Sequence, residues 1–172
     1  MHQAPATIDR QALVDEGLLA ADSLLSDADV KRYVHHYRAW QRIRNEIDPT
    51  NQLWHVIIED QVDLLPDFMT KHLALIDNTP WDFDVGHIYV YPQQSWIFDK
   101  GQCYITLPKL RGTCAYVVSP MGVMKLTDTC KPLTAPLQDQ IRTSGFVSYT
   151  FYNDFVEHID PEGSIGDYEP FK

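Results

Sequence analysis

The densest group of reactive side chains is Glu59, Asp60 and Asp63, three carboxylates within five residues. They follow Leu53-Trp54-His55-Val56-Ile57-Ile58, an apolar run of strand length. A buried strand that stops at acids sets them at a sheet edge. In open α/β sheets, ligands bind at the carboxyl ends of the strands. Hard oxygen donors suit Mg²⁺ or Mn²⁺, and such a cation can neutralise a diphosphate. It then serves as a Lewis acid for a leaving nucleoside diphosphate. The same acids read equally as a short solvated turn, with Asp63 capping a helix that opens at Pro66.

Elements on either side must position these acids. Leu13, Val14, Leu18, Leu19, Leu24 and Leu25 recur at helix-like spacing over residues 8–25, broken by Gly17. Ser26 and Asp27 offer N-caps. Val30, Tyr33, Val34, Tyr37, Trp40, Ile43 and Ile47 then keep a 3.6-residue period, which predicts a long amphipathic helix to about Asn45. The 53–58 run reads as a buried central strand. Pro66 opens a helix through about Asp77, with Phe68, Met69, Leu73 and Ile76 inward. Strands are expected at Phe83–Tyr91, 103–107 and Gly112–Ser119, with a loop over 92–102. Helices are expected from Pro120 to Cys130 and from Leu137 to Thr143. Terminal strands follow at 146–151 and 154–158. Helices alternating with short apolar strands argue one α/β domain with a mostly parallel sheet. Its core spans 26–160, preceded by an arm over 1–25 and followed by an extended tail over 161–172.

Composition narrows the partners. The chain has 172 residues, enough for one domain, and 44% are apolar. Its net charge of −10 opposes nucleic acid and anionic membrane surfaces. Cys103, Cys114 and Cys130 are an odd set without a C-x-x-C pair, which argues reduced, buried thiols. The opening Met-His-Gln-Ala-Pro-Ala-Thr has neither a charged nor an apolar signal region, so a cytoplasmic setting is expected. No run reaches the ~20 apolar residues of a membrane span. Nucleophile elbows, P-loops and G-x-G-x-x-G loops are absent from the sequence. His55 and His87 lack zinc-like spacing to a cysteine.

Several segments occur in an order that resembles glycosyltransferase family 25, the lipopolysaccharide and procollagen glycosyltransferases. His36-Tyr37-Arg38-Ala39-Trp40 is similar to that family's Ser-His-x-x-x-Trp helix. Ile57-Ile58-Glu59-Asp60-Gln61-Val62 resembles its strand ending in Glu-Asp-Asp, and Leu65-Pro66-Asp67-Phe68 its next helix start. Trp81-Asp82-Phe83-Asp84-Val85 resembles its Trp-Asp strand. The segment from Gly112 to Gly122 resembles its Gly-Thr-x-Ala-Tyr element. Pro136-Leu137-Gln138-Asp139 and Ser164-Ile165 resemble its late motifs. The order holds over residues 30–166. Gln61 departs from the third acid, His35 stands in place of the helix serine, and the family's opening strand and spaced arginines are missing.

The resemblance implies a GT-A-like fold and a metal-dependent transferase. It would move a hexose from a UDP-sugar donor to a glycan or hydroxylated protein acceptor, with Mn²⁺ or Mg²⁺. It places Asp60 first among the metal ligands, with Glu59 or Asp63 assisting through metal or structure. It places Thr113, Tyr116, Ser119 and Ser164 toward the donor. Asp139 becomes the base for the acceptor hydroxyl, or else a helix-start carboxylate. Packing explains Tyr116, Trp40 and His36 as well, and turns or caps explain Thr113 and Ser119. The departures support a catalytically degenerate structural or glycan-binding module. A nucleotide-sugar hydrolase is a further alternative. Leu18, Leu19, Leu24 and Leu25 suggest a homo-oligomer or larger assembly through residues 1–25.

Overall fold

The apolar stripe that runs from Val30 to Trp40 is buried along the longest helix of the protein. The structure, a computed structural model, describes residues 8–47, 53–60, 62–79, 82–88, 103–105, 113–151 and 156–158. The helices are α1 (Arg10–Asp15), α2 (Asp27–Glu46), α3 (Phe68–Asn78), α4 (Pro120–Thr129) and α5 (Leu137–Thr143). The strands are β1 (His55–Ile58), β2 (Val62–Leu64), β3 (Val85–His87), β4 (Cys103–Ile105), β5 (Ala115–Val118), β6 (Ser148–Phe151) and β7 (Val156–His158).

Capping fixes two helix starts. Ser26 Oγ accepts the Asp29 amide at 3.1 Å, and Asp27 and Asp29 suit the positive end of α2. Ser119 Oγ accepts the Gly122 amide at 3.0 Å, with Pro120 at the first turn of α4. Helix α3 opens at Phe68, with Asp67 as N-cap, two residues later than Pro66 suggests. Phe68 is buried, but Met69 and Leu73 are 62% and 57% exposed, so the expected inward set is corrected to Phe68 and Ile76.

The main sheet has the order β1-β5-β3-β6-β4, and β2 pairs with β7 in a separate ladder. Only β3 and β6 are parallel; β1–β5, β3–β5 and β4–β6 are antiparallel. The expected mostly parallel sheet is therefore corrected to a mixed one. All four residues of β5 are buried. A strand covered on both faces shows that pattern whichever way it runs. Strands β1, β3 and β6 share one direction, so their carboxyl ends lie at one edge of the sheet.

Strand β1 lies at the end of that order, not at its centre. Its four residues are half-buried. The apolar run misleads because both faces are covered: Ile57 packs on one core, Val56 and Ile58 on the other.

Tyr116, Val118 and Val85 meet α2, α4 and α5 on one face of the sheet. Ala115 and Val117 meet Trp54, Phe83, Ile88 and Phe151 on the other. The arm belongs to the first core. Leu13, Leu18 and Leu19 are buried there, and Leu19 bridges Leu133. Arg10 donates to the carbonyls of Ser23 and Leu25, each at 3.0 Å, and to Asp27 at 2.8 Å. Leu18 and Leu19 are thus committed within the chain, which corrects their expected role in an assembly contact. Leu24 is fully exposed. No helix among the described residues is long and apolar enough to cross a membrane.

Candidate functional site at the exit of strand β1

The carboxyl end of β1 lies against the start of β5. Glu59 donates its amide to the Cys114 carbonyl at 2.7 Å, and the Val62 amide closes the following turn on the Glu59 carbonyl at 3.2 Å. Asp60 sits in that turn and is exposed. Asp63 is exposed on β2, opposite Glu157.

Glu59 turns the other way. Only 15% of its side chain is exposed, and both oxygens are engaged. Arg32 holds it with a two-pronged fork, Nε to Oε1 at 2.7 Å and Nη2 to Oε2 at 2.9 Å. His36 Nε2 lies 2.7 Å from the same Oε1. Burial alone would raise the Glu59 carboxyl. Hydrogen bonds from His36 and Arg32, with the Arg32 charge, outweigh burial and hold it below its ordinary value.

The polar chain continues inward. His36 Nδ1 is 2.8 Å from the Tyr116 hydroxyl, and Trp40 Nε1 donates to that hydroxyl at 2.8 Å. Tyr116 and Trp40 are fully buried. Burial pushes the Tyr116 phenol well above its ordinary range, so it keeps its hydrogen. Indole can only donate, so the hydroxyl accepts from Trp40 and gives its one hydrogen to Nδ1. Nε2 then carries the ring hydrogen and donates to Glu59. This is the arrangement a neutral imidazole takes; a doubly protonated ring would donate to the hydroxyl and to Glu59 alike. Every polar atom in the line has a partner, which is what a buried polar group requires.

The predicted site residues do not all gather at this edge. Thr113 does: it precedes Cys114 and is buried, with no partner for Oγ1 among the described residues. Tyr116 is sealed inside with its hydroxyl engaged by His36 and Trp40, so the hydroxyl expected toward the donor is taken up by internal hydrogen bonds. Ser119 caps α4 at the opposite end of β5. Five residues, four of them β5, separate it from Thr113, a span of about 20 Å at the usual rise of extended chain. Its role is corrected to a helix cap. Asp139 stands in the first turn of α5, 3.2 Å from Arg142, with no bond to Glu59, Asp60 or Thr113 among the described residues. Ser164 lies outside the described residues.

No family model matches this chain, and no curated protein matches it significantly.

A cation would meet few free donors here. Among the described residues, no three His, Cys, Asp or Glu side chains are grouped to hold one. Glu59 is spent on Arg32 and His36, which fits the structural of its two expected parts. Asp60 remains, with Asp63 on the neighbouring ladder. One or two carboxylates fit a hard cation that shares its other positions with phosphate oxygens and water, not a cage built by protein alone.

Sequence reasoning missed the connection between the two halves of this site. Arg32, His36 and Trp40 are spaced by four residues and form one stripe of α2. A charged, a titratable and an indole donor on one helical stripe was the available signal.

Proposed function

We propose that the chain is a glycosyltransferase domain of the family 25 kind, using a nucleotide-sugar donor and a glycan or protein acceptor. One observation carries this reading. Three co-directional strands bring an exposed carboxylate, Asp60, to the carboxyl edge of the sheet, where α/β folds bind ligands. Thr113, with an unpartnered hydroxyl among the described residues, lies two residues before β5, the strand beside it. The sheet reversed at β5 and the departures at Gln61 leave the GT-A assignment part of this proposal.

In this reading Asp60, with Asp63, holds Mn²⁺ or Mg²⁺ together with the donor diphosphate. When bound, the cation offsets the charge on the departing nucleoside diphosphate. Glu59 positions the turn and touches no substrate. Asp139, on α5 and bonded to Arg142 rather than to this edge, is kept as the base that would take the proton of the acceptor hydroxyl as that oxygen bonds to the sugar carbon and the diphosphate leaves. Transfer to water in place of an acceptor would make the same site a nucleotide-sugar hydrolase.

A second reading is favoured by the engagement of Glu59 and by Gln61 in the acidic motif. It is a degenerate member that serves as a structural or glycan-binding module. Calorimetric titration of UDP and UDP-hexoses, with and without Mn²⁺, separates the two. Metal-dependent binding that is lost in Asp60→Ala supports the transferase. Absence of binding under every condition supports the module.

A further inference from the structure

The chain Trp40–Tyr116–His36–Glu59–Arg32 joins three elements far apart in sequence. Trp40, His36 and Arg32 come from α2, Tyr116 from β5, and Glu59 from the end of β1. Its bonds run one way, from the buried indole to the carboxylate. The carboxylate is also the residue immediately before Asp60. Its amide is fastened to Cys114 and its carbonyl to Val62. The backbone of Glu59 is therefore fixed on two sides and its side chain on two more. Asp60 follows directly in the turn and is exposed.

We propose that Arg32, Glu59, His36, Tyr116 and Trp40 form a positioning relay that fixes the exit of β1 and thereby the aim of Asp60. The relay rests on the transferase reading only for what Asp60 binds. None of its five members touches substrate. Their contribution is to hold one backbone conformation at a carboxylate that must meet a phosphate-bound cation. A preorganised turn spares the ordering that a loose one would need on binding. Arg32 supplies the fixed fork that lysine cannot reproduce. Among the described residues, the Tyr116 hydroxyl alone bonds both Trp40 Nε1 and His36 Nδ1, so its removal uncouples the two ends.

Two variants of the full chain test this, Tyr116→Phe and Arg32→Lys. The first keeps the buried ring and deletes the hydroxyl. The second changes a partly exposed residue and keeps its charge, so it remains informative if the first fails to fold. Amide hydrogen exchange by NMR reads the β1 exit without any nucleotide. The Glu59 amide should exchange about tenfold faster in either variant, while the Tyr149 amide in β6 is unchanged. Affinity for UDP with Mn²⁺ should fall about tenfold in parallel. Unchanged exchange at Glu59 overturns the relay. So does faster exchange at Glu59 with full UDP–Mn²⁺ affinity. A wild type that binds no UDP overturns the transferase reading alone, because the exchange at Glu59 is measured in its absence.

Discussion

Replacing Gly122 with alanine should destabilise the protein, although the same change in most helices is favourable. Alanine gains up to about 1 kcal/mol over glycine inside a helix. Here the new Cβ would lie 1.9 Å from the Asp84 carbonyl oxygen and 2.6 Å from its carbon. Both are backbone atoms, so no side chain can swing aside. Clearing even 3.0 Å needs a shift of about 1.1 Å between α4 and β3. Asp84 cannot follow freely: its amide donates to Val147 at 2.8 Å, and its carboxylate takes the Val147 amide at 2.9 Å and Lys125 at 2.7 Å. Moving α4 away strains the Ser119 amide bond to the Asp84 carbonyl at 3.2 Å. Overpacking of this kind costs about 1–3 kcal/mol, and a weakened buried hydrogen bond adds about 1. After the helical gain, a net loss of about 1–3 kcal/mol is expected, near 2–12 °C in Tm for a domain of this size. Urea unfolding followed by far-UV circular dichroism measures it, with the exposed neighbour Met121→Ala as control. A Gly122→Ala protein at least as stable as wild type would refute the placement of α4 against Asp84.

Glu59→Gln should lower stability at neutral pH by about 1–3 kcal/mol and flatten the acid limb of the stability curve. The native carboxyl is held below its ordinary value of 4.5, so its contribution is complete above that pH and lost as pH falls through the lower folded value. Unfolding midpoints between neutral and strongly acidic pH check the sign; a variant with the wild-type acid slope would contradict it. Leu19→Ala should cost about 2–4 kcal/mol because the arm is part of the core, whereas Leu24→Ala should stay within about 0.5. Equal, negligible effects in thermal unfolding would mean that the arm does not dock.

Much of this architecture is legible in the residues themselves. The stripe from Val30 to Trp40 announces α2, and Ser119-Pro120 announces the start of α4. Leu137–Thr143 forms a helix over the expected residues. Strand direction is not legible, since Ala115-Tyr116-Val117-Val118 is equally apolar read either way. Strand β2 is missed because Val62-Asp63-Leu64 is three residues long and its partner β7 begins at Val156. A pairing so distant leaves no local trace. The acids at 59–63 were visible as a group, yet their division was not. Glu59 faces inward because Arg32 and His36 wait on a helix 27 and 23 residues earlier. Tyr116 reads as a packing ring, which it is. Its hydroxyl acquires meaning only when folding sets it between Trp40 and His36.

Strand β5 has a consequence of its own. It lies between β1 and β3, and neither of those pairs with the other. Among the described strands, β5 is the one that ties β1 to the sheet, whereas β3, β6 and β4 are also paired with one another. Its alternate residues also serve both hydrophobic clusters, Tyr116 and Val118 one, Ala115 and Val117 the other. The two halves of the interior therefore have no independent existence. Global unfolding engages both clusters together, and the molecule should unfold as a single cooperative unit, local opening at its edges aside. The same four residues hold the acidic turn, the helical layer and the second core in one equilibrium.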